Sequence, residues 1–363
     1  MRRSDSGTRF RRRLAFALLG ALGCGHDTSA PGADAARVRL HYVGGRGDAA
    51  LRVSARVGGV TESAIVGSSD AVTVGSGLSP SDTVEIRVEE TGPAAGRFHP
   101  ATAIVTGAAI GQVQRFVLLP RRWTIAATGS PCRQAGQTVD IDVALAYTRS
   151  VADPSSFYLR LPNAAAGWEY RAASVPAAAM PIPVAFDRAA STDPISAADS
   201  VGFWSAVNDL ESSLCQNAFQ PANRSAVSAT RGVRVLLDRG LDVVARGGPT
   251  MGESRGTTSI ISGVVVCRNA SCLTSGTVPQ HELLHVLGFG HTCAWPSLMR
   301  AGCAGEARLS AQDVAYFQVY YAARALQLAT GAQHSLAAAH QGVTSGAGMV
   351  RESAPRALGM PEQ

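Results

Sequence analysis

The chain contains no lysine: all 33 basic residues among its 363 are arginine. With abundant alanine and glycine, that bias reads as the imprint of a GC-rich genome rather than as a nucleic-acid-binding surface. The net charge of +6 points the same way. Arg2, Arg3, Arg9, Arg11, Arg12 and Arg13 all precede the first apolar run. The remainder is therefore close to neutral, and a nucleic-acid partner has no electrostatic support. Long apolar runs are missing too. The stretch from Leu14 to Leu22 falls well short of the about 20 residues that span a bilayer. No C-x-x-C pair occurs, which removes the usual spacing of a zinc–thiolate site. What is present, 46% hydrophobic and 17% charged residues, suits a globular protein, long enough for two domains.

The basic N-terminus and its short apolar run read as a targeting segment, excluded from fold reasoning. Small and apolar residues lead directly to Cys24, which resembles a bacterial lipobox with Cys24 as the lipidated residue. Ala21 stands where leucine is usual, and an ordinary secretory peptide is the competing reading. Either sends the protein out of the cytoplasm: an outer-membrane or cell-surface lipoprotein, otherwise secreted or periplasmic. Setting Cys24 aside leaves an even six: Cys132, Cys215, Cys267, Cys272, Cys293 and Cys303. In an oxidising compartment disulfides are the better reading. Proximity favours Cys267 with Cys272 and Cys293 with Cys303, leaving Cys132 for Cys215 by elimination.

Residues 1–24 are thus the signal segment and 25–35 a tether. From 36 to 121 the pattern has period two. Val38, Leu40 and Tyr42 alternate with Arg37, Arg39 and His41, and Val84, Ile86 and Val88 with Glu85, Arg87 and Glu89. That predicts antiparallel strands with one buried face, a small all-β sandwich. His41 and His99 read as surface residues there. Residues 122–328 form a second, mixed domain, giving an α+β chain. Its expected elements are a strand over 181–186, a helix from Ile195 to Leu214 carrying Phe203, Val207, Leu210 and Leu214 on one face, and short strands at Gly232–Leu237 and Leu241–Ala245. A β-rich run from Thr257 to Cys267 follows, then a helix beginning near Thr277, with Thr277 as its cap and Pro279 in its first turn. A last helix begins at Ser310, whose spacing to Asp313 suggests a capping box. Residues 329–363 read as a disordered tail, with His334 and His340 incidental.

The chemistry lies in HELLHVLGFGH, from His281 to His291. On a helix His281 and His285 are one turn apart and face the same way, so both can reach one metal. Gly288 can take the conformation that ends the helix and swings His291 in from another side. Glu282 lies where its carboxylate reaches a water on the metal rather than the metal itself. Three histidines and a glutamate on an otherwise apolar segment would be costly to bury unpaired.

This H-E-x-x-H-x-x-G-x-x-H pattern, followed by Ser297-Leu298-Met299, resembles the metzincin clan of zinc endopeptidases. The likeness covers about residues 181–328, most strongly 277–317. It implies a catalytic domain built on a mixed, twisted β-sheet with three main helices. It implies His281, His285 and His291 as ligands of one catalytic zinc, Glu282 as general base toward a zinc-activated water, and Met299 as an apolar floor. Structural calcium has no direct support. Leu309-Ser-Ala-Gln-Asp313 before the last helix looks most like matrixins. The chain departs from relatives that place a tyrosine two residues after the methionine, since Ala301 stands there. Thr292 matches no subfamily marker, the turn lacks the matrixin proline, and no cysteine-switch motif is present. The implied function is cleavage of extracellular proteins or peptides by a monomer whose only membrane contact is an N-terminal lipid. The alternative is a surface-anchored binding lipoprotein whose β-domain does the work beside a weak or inactive peptidase domain.

Overall fold

A computed structural model describes residues 35–93, 95–127, 131–141, 160–163, 167–170, 174–254, 257–289, 295–299 and 308–332. Over these the chain is α+β. No helix among the described residues is long and apolar enough to cross a membrane.

The period-two segments become seven strands: β1 (Ala36–Tyr42), β2 (Ala50–Val57), β3 (Val60–Ile65), β4 (Ala71–Val74), β5 (Thr83–Thr91), β6 (Ala101–Thr106) and β7 (Val113–Leu118). They form a three-stranded sheet, β4-β1-β7, and a four-stranded sheet, β3-β2-β5-β6. Val38, Leu40, Val53, Val84, Ile86, Val88 and Phe116 bury one face of each sheet in a shared core. All pairings are antiparallel except β1 with β7, which is parallel.

Two hairpins follow, β8 (Arg122–Thr124) with β9 (Thr138–Asp140) and β10 (Arg160–Asn163) with β11 (Gly167–Tyr170). The central sheet comprises β12 (Ile182–Phe186), β13 (Phe219–Pro221), β14 (Gly232–Leu237), β15 (Ala245–Ser254) and β16 (Thr257–Cys267), in the order β13-β12-β14-β16-β15. The first four run parallel, and β15 lies antiparallel at the edge. Between β12 and β13 runs α1 (Ala197–Leu214), started by a capping box of Ser196 and Asp199 and burying Phe203, Val207, Leu210 and Leu214. After β16 come α2 (Ala270–Thr274), α3 (Thr277–Val286) and, later, α4 (Ala311–Thr330). Cys132 is bonded to Cys215, which ends α1 in the left-handed conformation. Cys267 is bonded to Cys272 across the β16–α2 turn. Cys293 and Cys303 lie outside the described residues.

Val43, Val117 and Leu119, at the ends of β1 and β7, enter the second core together with Ile125, Ile141 and the α1 and α3 residues. Gln318 of α4 completes the joint. Its Oε1 accepts from Trp123 Nε1 at 2.8 Å and from Ala126 N at 3.0 Å, and its Nε2 donates to Ala126 O at 2.7 Å. His99 and His41 are half-buried rather than exposed, and the His99 Nε2 lies 2.6 Å from Ile141 O.

Two local expectations change, and one short helix is added. Leu241–Ala245 is mostly turn, and the strand there begins only at Ala245. Gly247, Gly248 and Pro249 hide it, being poor strand formers. At an edge Pro249 sacrifices no ladder bond, and Gly247 makes room for α3. Thr277 is the first helical residue rather than the cap; Gly276, at φ 75°, precedes it. The short helix α2 lacked a sustained pattern, and Asn269 caps it by accepting from Cys272 N.

The closeness of α3 to β15 and β16 is measurable. A Cβ on Gly247 would lie 2.7 Å from both Cα and Cβ of Glu282, and one on Gly263 would lie 2.6 Å from a Val286 methyl. Gly247→Ala is therefore expected to cost about 1–3 kcal/mol by overpacking against backbone, read by denaturant unfolding. A neutral effect would show that α3 is not held at this distance.

Candidate metal centre

His281 and His285 project from one face of α3, with their ring centroids 4.7 Å apart. Each ring is fixed by its far nitrogen. The Nδ1 of His281 lies 2.8 Å from the carbonyl of Leu298, and the Nδ1 of His285 lies 2.8 Å from the carbonyl of Phe289. A carbonyl can only accept, so both Nδ1 atoms carry the proton. Both Nε2 atoms then present lone pairs, and they face one another at 3.1 Å. Two facing lone pairs repel unless a cation or proton comes between them. That spacing is what two nitrogens each about 2.0–2.1 Å from one zinc would show. Two imidazole nitrogens are part of the donor set that such an ion takes.

The chain turn after α3 delivers the second of these carbonyls. Gly288 sits at φ 95°, its N–H donates to His285 O at 3.0 Å, and Phe289 N–H donates to Leu284 O at 3.0 Å. This double bond pattern is a Schellman motif, which requires the left-handed residue that glycine supplies. Tyr321 of α4 locks the turn by donating to Leu287 O at 2.8 Å; burial raises its phenol pKa well above the usual value.

The first carbonyl belongs to the Ser297–Met299 turn. Met299 is fully buried in the second core, and its N–H donates to Ser297 Oγ at 2.9 Å. Asp313 holds that turn. Its Oδ1 accepts from Ser297 Oγ at 2.6 Å and from Trp295 Nε1 at 2.9 Å, while its Oδ2 accepts from Ser310 N at 2.8 Å and Ser310 Oγ at 2.9 Å. One carboxylate thus joins the cap of α4 to the turn that grips His281. The capping box was visible in the sequence. The bonds to Trp295 and Ser297, more than a dozen residues back, had no local signal.

Glu282 is buried beside the pair. Burial pushes its pKa up to about 7, opposed by the Gly247 amide, which hydrogen-bonds the carboxyl, and by the positive field of Arg246. Gln280, one residue before His281, ties α3 to α1 by donating to Ala206 O and Asp209 Oδ2, each at 3.2 Å.

The described residues thus place His281, Glu282 and His285 on one helix, with His281 held by Leu298, the residue before the buried Met299. Among them no group of three or more His, Cys, Asp or Glu side chains is placed to hold a metal ion. His291, the expected third ligand, lies outside the described residues, as do Cys24, Thr292 and Ala301. No protein-family model matches the chain, and a search of curated proteins finds no match.

Asp313→Ala strands four donors and is expected to cost about 3 kcal/mol or more. Ser310→Ala, which removes only the cap, is expected to cost about 1 kcal/mol. Equal losses in denaturant unfolding would show that Asp313 does nothing for the turn.

Proposed function

We propose that this chain is an exported zinc-dependent endopeptidase of the metzincin clan, matrixin-like, acting on extracellular proteins or peptides. The observation that carries this reading is the pair of Nε2 lone pairs facing each other at 3.1 Å, each imposed by a carbonyl on the far side of its ring. His281, His285 and His291 would hold the ion. When bound, zinc supplies Lewis acidity toward a scissile carbonyl and lowers the pKa of water.

The chain's own residues account for the rest. Glu282 follows the first ligand on α3, within the buried site, and serves as general base, taking a proton from water and passing it to the departing amine. Met299 provides an apolar floor. β15 is the terminal strand of the central sheet, and its Gly247 amide reaches Glu282. An extended peptide can add to such an edge through main-chain hydrogen bonds. The order β12, α1, β14 to β16, α3, Met299 turn and α4 agrees with the sequence resemblance. The two disulfides support export to an oxidising compartment, with Cys24 as lipid attachment site.

Cleavage of casein by the chain lacking residues 1–24 should stop on chelation and return with added zinc. Glu282→Gln should keep one equivalent of zinc yet lose at least about 100-fold in kcat. His285→Ala should lose the metal as well. Chelator-resistant cleavage, or a Glu282→Gln variant as fast as the parent, sinks the proposal.

A further inference from the structure

The two sheets of the N-terminal module treat charge on their outer faces in opposite ways. On the four-stranded sheet arginine is set opposite glutamate: Arg52 pairs with Glu89 and Arg56 with Glu85 across β2 and β5. Arg87 also contacts Glu89 at 3.0 Å. On the three-stranded sheet, β1 buries Ala36, Val38 and Leu40 and turns Arg37 and Arg39 outward, with the half-buried His41 next on that face. In the parallel pairing with β7, Arg39 stands directly opposite Arg115. Like charges facing across a ladder destabilise a sheet. Among the described residues neither Arg39 nor Arg115 makes an ion pair. Asp70, which precedes the Ala71 that Arg39 faces, is taken by Tyr42 Oη at 2.8 Å and Arg46 Nη1 at 2.9 Å.

The surroundings leave the two guanidiniums open. Arg39 is flanked on its other side by the small residue Ala71 of β4, and Arg37 by Thr73; all four are exposed, while Arg115 is half-exposed. Farther along the same face, His41 stands opposite Val117, which is fully buried in the second core. Burial first, then the fields of Arg39 and Arg115, hold the His41 pKa below its ordinary value, with Asp70 opposing.

We propose that Arg39 and Arg115, with Arg37 at the margin, form a binding site for a tetrahedral oxyanion, a phosphate or sulfate group. Two planar guanidinium forks across one strand spacing present paired donors to such a group. An anion between the two guanidiniums offsets their mutual repulsion. The site lies on the N-terminal module and does not depend on the peptidase reading.

The test is thermal unfolding of the full chain in inorganic phosphate or sulfate against chloride at equal ionic strength. Phosphate and sulfate should raise the melting temperature. The concentration needed should increase about tenfold in Arg39→Ala/Arg115→Ala and stay unchanged in Arg52→Ala/Arg56→Ala, which removes the same charge from the balanced face. Arg39→Gln alone reads the same comparison if the double variant does not fold. No anion-specific rise, or equal loss in both doubles, overturns the site. Co-sedimentation with phosphatidylglycerol vesicles but not phosphatidylcholine, dependent on Arg39 and Arg115, assigns the anion to a lipid headgroup. A phosphate-induced rise without co-sedimentation assigns it to a soluble ligand.

Discussion

An imidazole offers a metal one nitrogen, and which one depends on where its other N–H is held. In this chain both decisions are made by backbone carbonyls. Leu298 O holds His281 and Phe289 O holds His285, so the two rings are presented as a matched pair before any ion arrives. Everything around them serves to bring those two carbonyls to the right places. The turn after α3 supplies one because Gly288 accepts a left-handed backbone, and the Met299 turn supplies the other because Asp313 pins it to the start of α4.

This makes α4 more than a covering helix. Its first turn fixes the Met299 turn, Tyr321 in its body fixes the end of α3, and Gln318 fixes the segment leading out of the N-terminal sheets. Phe289 and Phe317 stack with centroids 5.4 Å apart, and Trp295 and Tyr316 at 4.7 Å, so aromatic packing closes the same contacts. The N-terminal module reaches this helix through Val117 and Leu119, which share the second core. Loosening that joint should therefore be felt at the histidines.

Much of the architecture was legible because burial here follows simple periods. Alternation in β1, β2 and β5 and the Phe203–Leu214 stripe in α1 each need only one buried face, and the structure buries those faces. Two of the disulfides followed from local spacing and elimination. What was not legible depends on contacts between distant segments. β15 shows no strand period of its own because Gly247 and Pro249 are poor strand formers, yet Gly247 is what lets Glu282 lie against the sheet edge. Asp313 announced itself as a cap through Ser310, while its bonds to Trp295 and Ser297 exist only once the chain has folded back. At the site the sequence suggested which residues meet. The hydrogen bonds that orient them came from the backbone, which has no sequence signature.

The central claim is that the two imidazoles are preset by backbone carbonyls as Nε2 donors. Long-range proton–nitrogen correlation spectra of the histidine rings in the metal-free protein test it most directly. His281 and His285 should both occupy the Nδ1–H tautomer near neutral pH and keep it when zinc is added, with only the Nε2 resonances moving. Finding either ring in the Nε2–H form, or switching tautomer on zinc addition, would contradict it.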